Sequence, residues 1–279
     1  MINHHSVEVA LRSARARGVD RLDSQLLLSA VMRHPRSWLI AHGDAAMTSE
    51  QHAHYQRLIE RRAAGEPLAY LLGEKEFYGI NLHVSPDVLI PRPDTETLVE
   101  WALHLLPDGE ERDVADVGTG SGALALAIKT HRRSARVCAV DLSEAALAMA
   151  RANALRTNLA VEWLHGSWWQ PLAGRQFDLV VSNPPYICEG DPHLADLQHE
   201  PQLALTSGPD GLDAIRIIVQ DAPPYLRAGA WLVLEHGYNQ HEAVQSLMNA
   251  RGFQQVSGRS DLAGHVRCTG GWWPGARES

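Results

Sequence analysis

At 279 residues the chain has room for one large domain and a small one, and 45% hydrophobic with 21% charged residues is an ordinary globular composition. The net charge of −8 is unevenly spread: 9 basic and 7 acidic residues up to Gly73, then 16 basic and 26 acidic from Glu74 on. The larger part therefore lacks the basic excess of a nucleic-acid binder, and no direct nucleic-acid partner is expected. In chain order, Val7-Glu8-Val9-Ala10-Leu11 predicts a helix running toward Gly18. Asp23 or Ser24 is placed to cap the run from Leu26 to Met32, which halts before Pro35. Trp38-Leu39-Ile40 reads as a short apolar turn. Thr48-Ser49-Glu50 opens a helix with Tyr55, Leu58 and Ile59 on one face. These helices set a small N-terminal domain over 1–66, suited to recognising a macromolecular substrate. Residues 67–91 read as a β-rich connector, and 92–279 as the main domain.

Within 92–279, strand and helix alternate: 114–118, 122–131, 136–140, 144–157, 161–164, 177–182, 214–225, 231–235 and 240–250, with late strands at 254–257 and 265–268. This predicts an α/β fold with a mainly parallel sheet covered by helices. Val114 to Val117 is followed by Gly118-Thr119-Gly120-Ser121-Gly122 and an apolar helix. A glycine turn between strand and helix lets backbone approach a ligand, with free helix N–H groups facing it. Asp141 ends the next strand, where an acid can take ribose hydroxyls or cap a helix. This half specifies an adenosine-type cofactor without choosing between a dinucleotide and S-adenosylmethionine.

The choice comes from Asn183-Pro184-Pro185-Tyr186, which ends the strand Phe177 to Ser182. Pro184 restricts Asn183 to extended geometry at the carboxyl end of a strand, where open α/β sheets bind ligands. The Asn oxygen and a proline carbonyl are two acceptors side by side, suited to a planar NH2. Glycine turn, Asp141 and this tetrapeptide together resemble the class I S-adenosylmethionine-dependent methyltransferases, which carry a Rossmann-like domain with an antiparallel last strand. Phe77-Tyr78-Gly79, Leu89 to Glu96, Glu200-Pro201, Gly208 to Leu212, Leu234 to Gly237 with Gln240, and Asp261 to Gly264 with Arg267 narrow the resemblance. They are similar to the protein N5-glutamine methyltransferases, and within these to the release factor glutamine methyltransferase (PrmC/HemK) family.

The resemblance implies S-adenosyl-L-methionine as cofactor and the glutamine of the Gly-Gly-Gln motif in class I peptide chain release factors as methyl acceptor. It implies cofactor contacts from Gly118, Thr119, Gly120, Ser121, Gly122, Asp141, Trp168 and Asn183. It makes Asn183, Pro184 and Tyr186 catalytic, with Pro185 beside them on the substrate. Trp169 neighbours Trp168, and Ser167 stands where the family commonly has an acid. Pro91, Arg92, Glu96 and Glu235 match the family, with loop stiffening, capping or local ion pairing as the plainer reading. Asp116 reads as a carboxylate that stabilises the turn. The alternatives are a ribosomal protein glutamine methyltransferase, a DNA adenine-N6 methyltransferase, and a non-catalytic cofactor-binding module. An intact Asn-Pro-Pro-Tyr and glycine turn weigh against the last.

Cys138, Cys188 and Cys268 show no C-x-x-C pattern and fit a reducing cytosol, and Cys138 reads as core. Met1 to Ser6 lacks the basic and apolar regions of a leader, and no apolar stretch approaches a membrane span. A cytoplasmic protein without a membrane partner is expected. The 15 histidines show no H-E-x-x-H spacing, so no metal is expected.

Overall fold

The computed structural model describes residues 5–275. Met1 to His4, most of the stretch read for leader features, lie outside the described residues. The chain divides into two compact units between Glu74 and Lys75.

The first unit is helical: α1 Val7–Ala16, α2 Arg21–Met32, α3 Arg36–Ala41, α4 Ser49–Ala63 and α5 Leu68–Leu72. Each helix has a local cause. Ser6 caps α1. Asp20 caps α2, earlier than the expected Asp23 or Ser24, because its side chain accepts from the Leu22 N–H. Thr48 and Gln51 form a reciprocal capping box on α4, whose Tyr55, Leu58 and Ile59 are buried as expected. The first part of the expected β connector is helical instead. Pro67 starts α5, left-handed Gly73 ends it, and Leu68, Leu71 and Leu72 pack on this unit's core.

The second unit opens with the pair β1 Glu74–Phe77 and β2 Ile80–His83. Helix α6, Glu96–Leu105, has no counterpart among the predicted elements; it buries Leu98, Val99, Trp101 and Ala102. There follow β3 Asp113–Val117, α7 Ala123–His131, β4 Arg136–Asp141, α8 Glu144–Thr157, β5 Glu162–His165, β6 Phe177–Ser182, α9 Asp213–Asp221, β7 Leu226–Glu235, α10 His241–Arg251, β8 Gln254–Ser260 and β9 Val266–Trp272. Seven strands make one sheet in the order β5-β4-β3-β6-β7-β9-β8, and β9 runs antiparallel to both neighbours. Alternating side chains of β3 serve two cores. Val114 packs with α6 and α7, while Ala115 and Val117 pack with α9 and α10. The strand order reverses between β3 and β6, whose carboxyl ends carry the glycine turn and Asn183 respectively.

After β6 the chain is held by a few specific bonds. Ile187 N–H donates to the Leu205 carbonyl and Ser207 N–H to the Ile187 carbonyl. Gln240 Nε2 donates to the Tyr186 carbonyl at 3.0 Å, and Gln240 Oε1 accepts from the Gly237 N–H. Gly211 sits in this clamp at φ +75°, where a Cβ would lie 2.2 Å from the Tyr186 carbonyl oxygen. Gly211→Ala is expected to lower stability by about 2–4 kcal/mol through strain plus backbone overlap. Denaturant unfolding checks it, and an unchanged midpoint would show that the clamp yields freely.

Candidate active site

A cavity of about 350 Å³ opens at the carboxyl ends of β3, β4 and β6. Its wall includes Gly118, Thr119, Gly120, Ser121, Asp141, Trp168, Asn183 and Pro185 of the residues expected from sequence. Gly122, Pro184 and Tyr186 are not on that wall.

The turn is built by backbone strain that glycine relieves. Gly118, Gly120 and Gly122 have φ of +82°, +57° and +83°. Gly118 lets the Trp168 ring approach, since a Cβ there would lie 3.2 Å from it, and Gly120 is open. Gly122 lies off the cavity wall. It starts α7, and a Cβ would meet Trp163, Ala150 and Leu126 within 3.3 Å. Its smallness serves helix packing. Asp116 is fully buried; its Oδ2 accepts from the Thr119 hydroxyl and the Ala125 N–H. It holds the turn from behind, as the plainer reading had it.

Asp141 Oδ2 accepts from the Gly120 N–H at 2.7 Å and Oδ1 from the Ser143 N–H at 2.8 Å. Ser143, not Asp141, caps α8. Burial raises the Asp141 pKa, and the N–H bonds of Ser143, Gly120 and Leu142 oppose the rise. The carboxylate is thus oriented by backbone yet keeps lone pairs for hydroxyl donors at the wall. Trp168, at φ +45°, faces the cavity with Ser167, whereas Trp169 is buried and stacks on Tyr225 at 4.8 Å between centroids. That settles which of the two tryptophans reaches the cavity.

Asn183 Nδ2 donates to Thr95 Oγ1 at 3.2 Å, while its Oδ1 is buried with no protein partner. Thr95 precedes α6 yet does not cap it. Tyr186 presents its hydroxyl to Glu235 Oε1 at 3.3 Å instead of turning its ring to the cavity wall. Glu235, at the end of β7, is 1% exposed, and its Oε2 has no partner. Arg92 forms an ion pair with buried Glu200, which also accepts from the Ile90 N–H, and Glu96 accepts from the Tyr78 N–H. Arg267 links Asp94 and Asp261. Sequence reasoning missed Thr95 as a partner of Asn183. It also missed the apolar wall residues Leu203 and Ile217, which lie in the short 3-10 turn Gln202–Ala204 and on α9. Among the described residues no three His, Cys, Asp or Glu side chains could hold a metal ion, and no helix is long and apolar enough to cross a membrane.

Residues 6–73 match the family model described as the PrmC N-terminal domain, and residues 95–200 the methyltransferase small domain. Curated relatives named release factor glutamine methyltransferase are 48% identical in Coxiella burnetii, over 88% of this chain and 90% of that one, and 47% in Xylella fastidiosa, over 96% and 98%. One in Vibrio cholerae is 44% identical over 98% and 99%. The chain belongs to the release factor glutamine methyltransferase family. Solved structures agree on the fold. A methyltransferase from Pyrococcus furiosus is 17% identical with a TM-score of 0.54, covering 82% of this chain and 100% of that one. A T. thermophilus 16S rRNA methyltransferase, in complex with AdoMet and guanosine, is 20% identical with a TM-score of 0.54, covering 72% and 49%. The fold is that of the class I methyltransferases, with a small helical N-terminal domain.

In this member of the release factor glutamine methyltransferase family two carboxyls are fully buried at the site. Burial pushes both Asp116 and Glu235 up to about 7. The folded protein thus keeps protons that the unfolded chain has already released, so these groups make stability fall as pH rises from the unfolded carboxyl range toward about 7. Glu235→Gln removes one contribution. Its unfolding midpoint is expected to gain on the wild type between about pH 5 and about pH 8, by roughly 3–10 °C at the upper end. Parallel melting curves across that range would contradict the assigned shift.

Proposed function

We propose that the protein transfers the methyl group of S-adenosyl-L-methionine to the side-chain amide nitrogen of the glutamine in the Gly-Gly-Gln motif of class I release factors. The observation that carries this reading is the buried, unpartnered Oδ1 of Asn183 beside a cavity at the end of β6. A buried acceptor without a donor is costly unless a ligand supplies one. The relatives' names supply the identity of the substrate.

The cavity suits the cofactor. Asp141 is oriented for the ribose hydroxyls, Trp168 and Leu142 offer apolar surface to the adenine side, and Gly118 to Ser121 let backbone come close. When bound, S-adenosylmethionine supplies an electrophilic methyl carbon on a sulfonium. An amide nitrogen is a weak nucleophile because its lone pair is shared with the carbonyl. Asn183 Oδ1 accepts one N–H of the acceptor amide and the Pro184 carbonyl the other, which orients the nitrogen and favours charge developing on it. Pro185 shapes the wall beside the amide. Tyr186 holds this segment through its hydroxyl. No strong base is required, because the nitrogen proton becomes acidic as the C–N bond forms. The helical unit recognises the body of the release factor, so a short Gly-Gly-Gln peptide is a poorer substrate than the whole protein. On this reading the enzyme works in the cytoplasm, alongside a soluble translation factor.

Labelled methyl transfer is offered release factor, its loop Gln→Ala variant, ribosomal protein and DNA in parallel. Label is expected on release factor alone, and Asn183→Ala should slow it by roughly 10²–10³ with cofactor binding nearly intact. Label on the Gln→Ala variant, or on ribosomal protein or DNA in preference, contradicts the assignment.

Asp141→Ala removes a ligand for hydroxyls and an anchor of Gly120. Weaker S-adenosylmethionine binding, by about 1.5–3 kcal/mol, is expected by calorimetry. An unchanged dissociation constant would leave Asp141 with the turn alone.

A further inference from the structure

We propose that the turn between β8 and β9, together with Tyr238, is a docking edge for the body of the release factor, and that it takes an apolar patch of that protein outside the loop entering the cavity. The inference rests on the reading that Asn183 receives an acceptor amide carried by a protein.

The strand registers put this edge at the acceptor end of the sheet. Ser182, which ends β6, is level with Leu234 in β7, and Glu235 is level with Cys268 in β9. Strand β9 is antiparallel to β7, and β8 to β9. The turn from Asp261 to His265 therefore lies beyond Glu235, at the same end as Asn183. Tyr238 follows β7 at that end, its ring centroid 5.9 Å from that of His265. A whole protein cannot enter a cavity of about 350 Å³. While one of its side chains reaches Asn183, the rest lies over the carboxyl ends of the strands.

What it meets there is apolar. Leu142, Leu203, Tyr238 and Leu262 are large hydrophobic side chains left exposed, each in a loop or turn at that end. Leu142 and Leu203 belong to the cavity wall. Tyr238 and Leu262 stand outside it; Tyr238 is 64% exposed and Leu262 wholly so. A lone exposed leucine is ordinary, but these two extend the apolar rim of the cavity along one end of the sheet.

The turn is ordered without any help from Leu262. Asp261 Oδ1 accepts from the Ala263 and His265 N–H groups, both at 2.9 Å, and Oδ2 accepts from Arg267 Nε at 2.9 Å. Gly264, at φ +86°, donates its N–H to the Asp261 carbonyl. Arg267 also pairs with Asp94, the neighbour of Thr95. One guanidinium thus fixes the turn against the segment that supports Asn183. The cavity then selects a planar amide, and the edge selects the protein that carries it. Covering Tyr238 and Leu262 stabilises the complex without touching the reacting atoms.

The test uses the full-length enzyme with intact release factor and, separately, a short Gly-Gly-Gln peptide that carries the acceptor without the body. Leu262→Ser, Tyr238→Ser, their double variant, Leu262→Met and Asn183→Ala are compared in kcat and KM, in cofactor Kd by calorimetry and in sedimentation. The double variant is expected to raise KM for release factor by roughly 10–100-fold, with each single change contributing part. Its kcat at saturation, its cofactor Kd and its kcat/KM on the peptide should stay within about 2-fold of wild type, and Leu262→Met should match wild type throughout. An unchanged KM for release factor, with an inactive Asn183→Ala, overturns the docking edge and leaves the Asn183 reading standing. An active Asn183→Ala overturns that reading itself. An equal loss on the peptide shows that the changes reach the cavity and overturns the docking role. A wild-type dimer that the double variant splits overturns it in favour of a contact between two copies of this chain.

Discussion

One hydrogen bond, from Asn183 Nδ2 to Thr95 Oγ1, is the constraint on which the rest of this site depends. It leaves an acceptor oxygen buried and unsatisfied in the free protein. Holding such an atom in place needs rigid support on both sides. On one side β6 is a buried strand hydrogen-bonded between β3 and β7, and the following Pro184 narrows the backbone choices of Asn183. On the other, the segment carrying Thr95 is tied down by the Arg92–Glu200 pair before it and the Arg267–Asp94 pair within it. Gln240 and Gly211 then fix the chain beyond Tyr186. The surrounding polar contacts are best understood as fixing two short segments against each other.

The cofactor side follows a different logic. There Asp141 accepts from the Gly120 and Ser143 N–H groups and Asp116 Oδ2 from the Thr119 hydroxyl and the Ala125 N–H, so the turn has its shape before a ligand arrives, while Asp116 Oδ1 is left without a partner. Asp141 couples the two strands' ends by reaching from β4 to the Gly120 N–H. The electrostatics also differ. Asp141 accepts from two backbone N–H groups that oppose its desolvation, whereas Glu235 accepts from the Tyr186 hydroxyl, with Arg267 against the repulsion of Asp94.

The features legible in the sequence were local. The glycine turn, Asp141 and the strand before Asn183 are contiguous patterns, and α8 and β6 lie where their caps and apolar runs put them. At Gly122 the sequence could not show that its smallness lets Trp163, Ala150 and Leu126 pack close, because a glycine needed for helix packing looks the same in sequence as one needed for ligand approach. Helix α6 was missed, and the position before it shows why boundaries are hard to read. Thr95 has the side chain of an N-cap but spends its hydroxyl on Asn183, 88 residues away. Glu235 and Tyr186 are likewise separated by 49 residues, so their pairing has no sequence signature. The clamp from Gln240 on the Tyr186 carbonyl and the bond from its hydroxyl to Glu235 fix how this residue sits, and neither partner is near it in sequence.

The claim that Asn183 receives the acceptor amide is tested most directly by a high-resolution structure of the enzyme with S-adenosylhomocysteine and a release factor. The expected result has the loop glutamine NH2 within about 3 Å of Asn183 Oδ1, with Nδ2 still on Thr95. A glutamine directed to another acceptor, or an Asn183 turned so that its NH2 faces the loop, would contradict it.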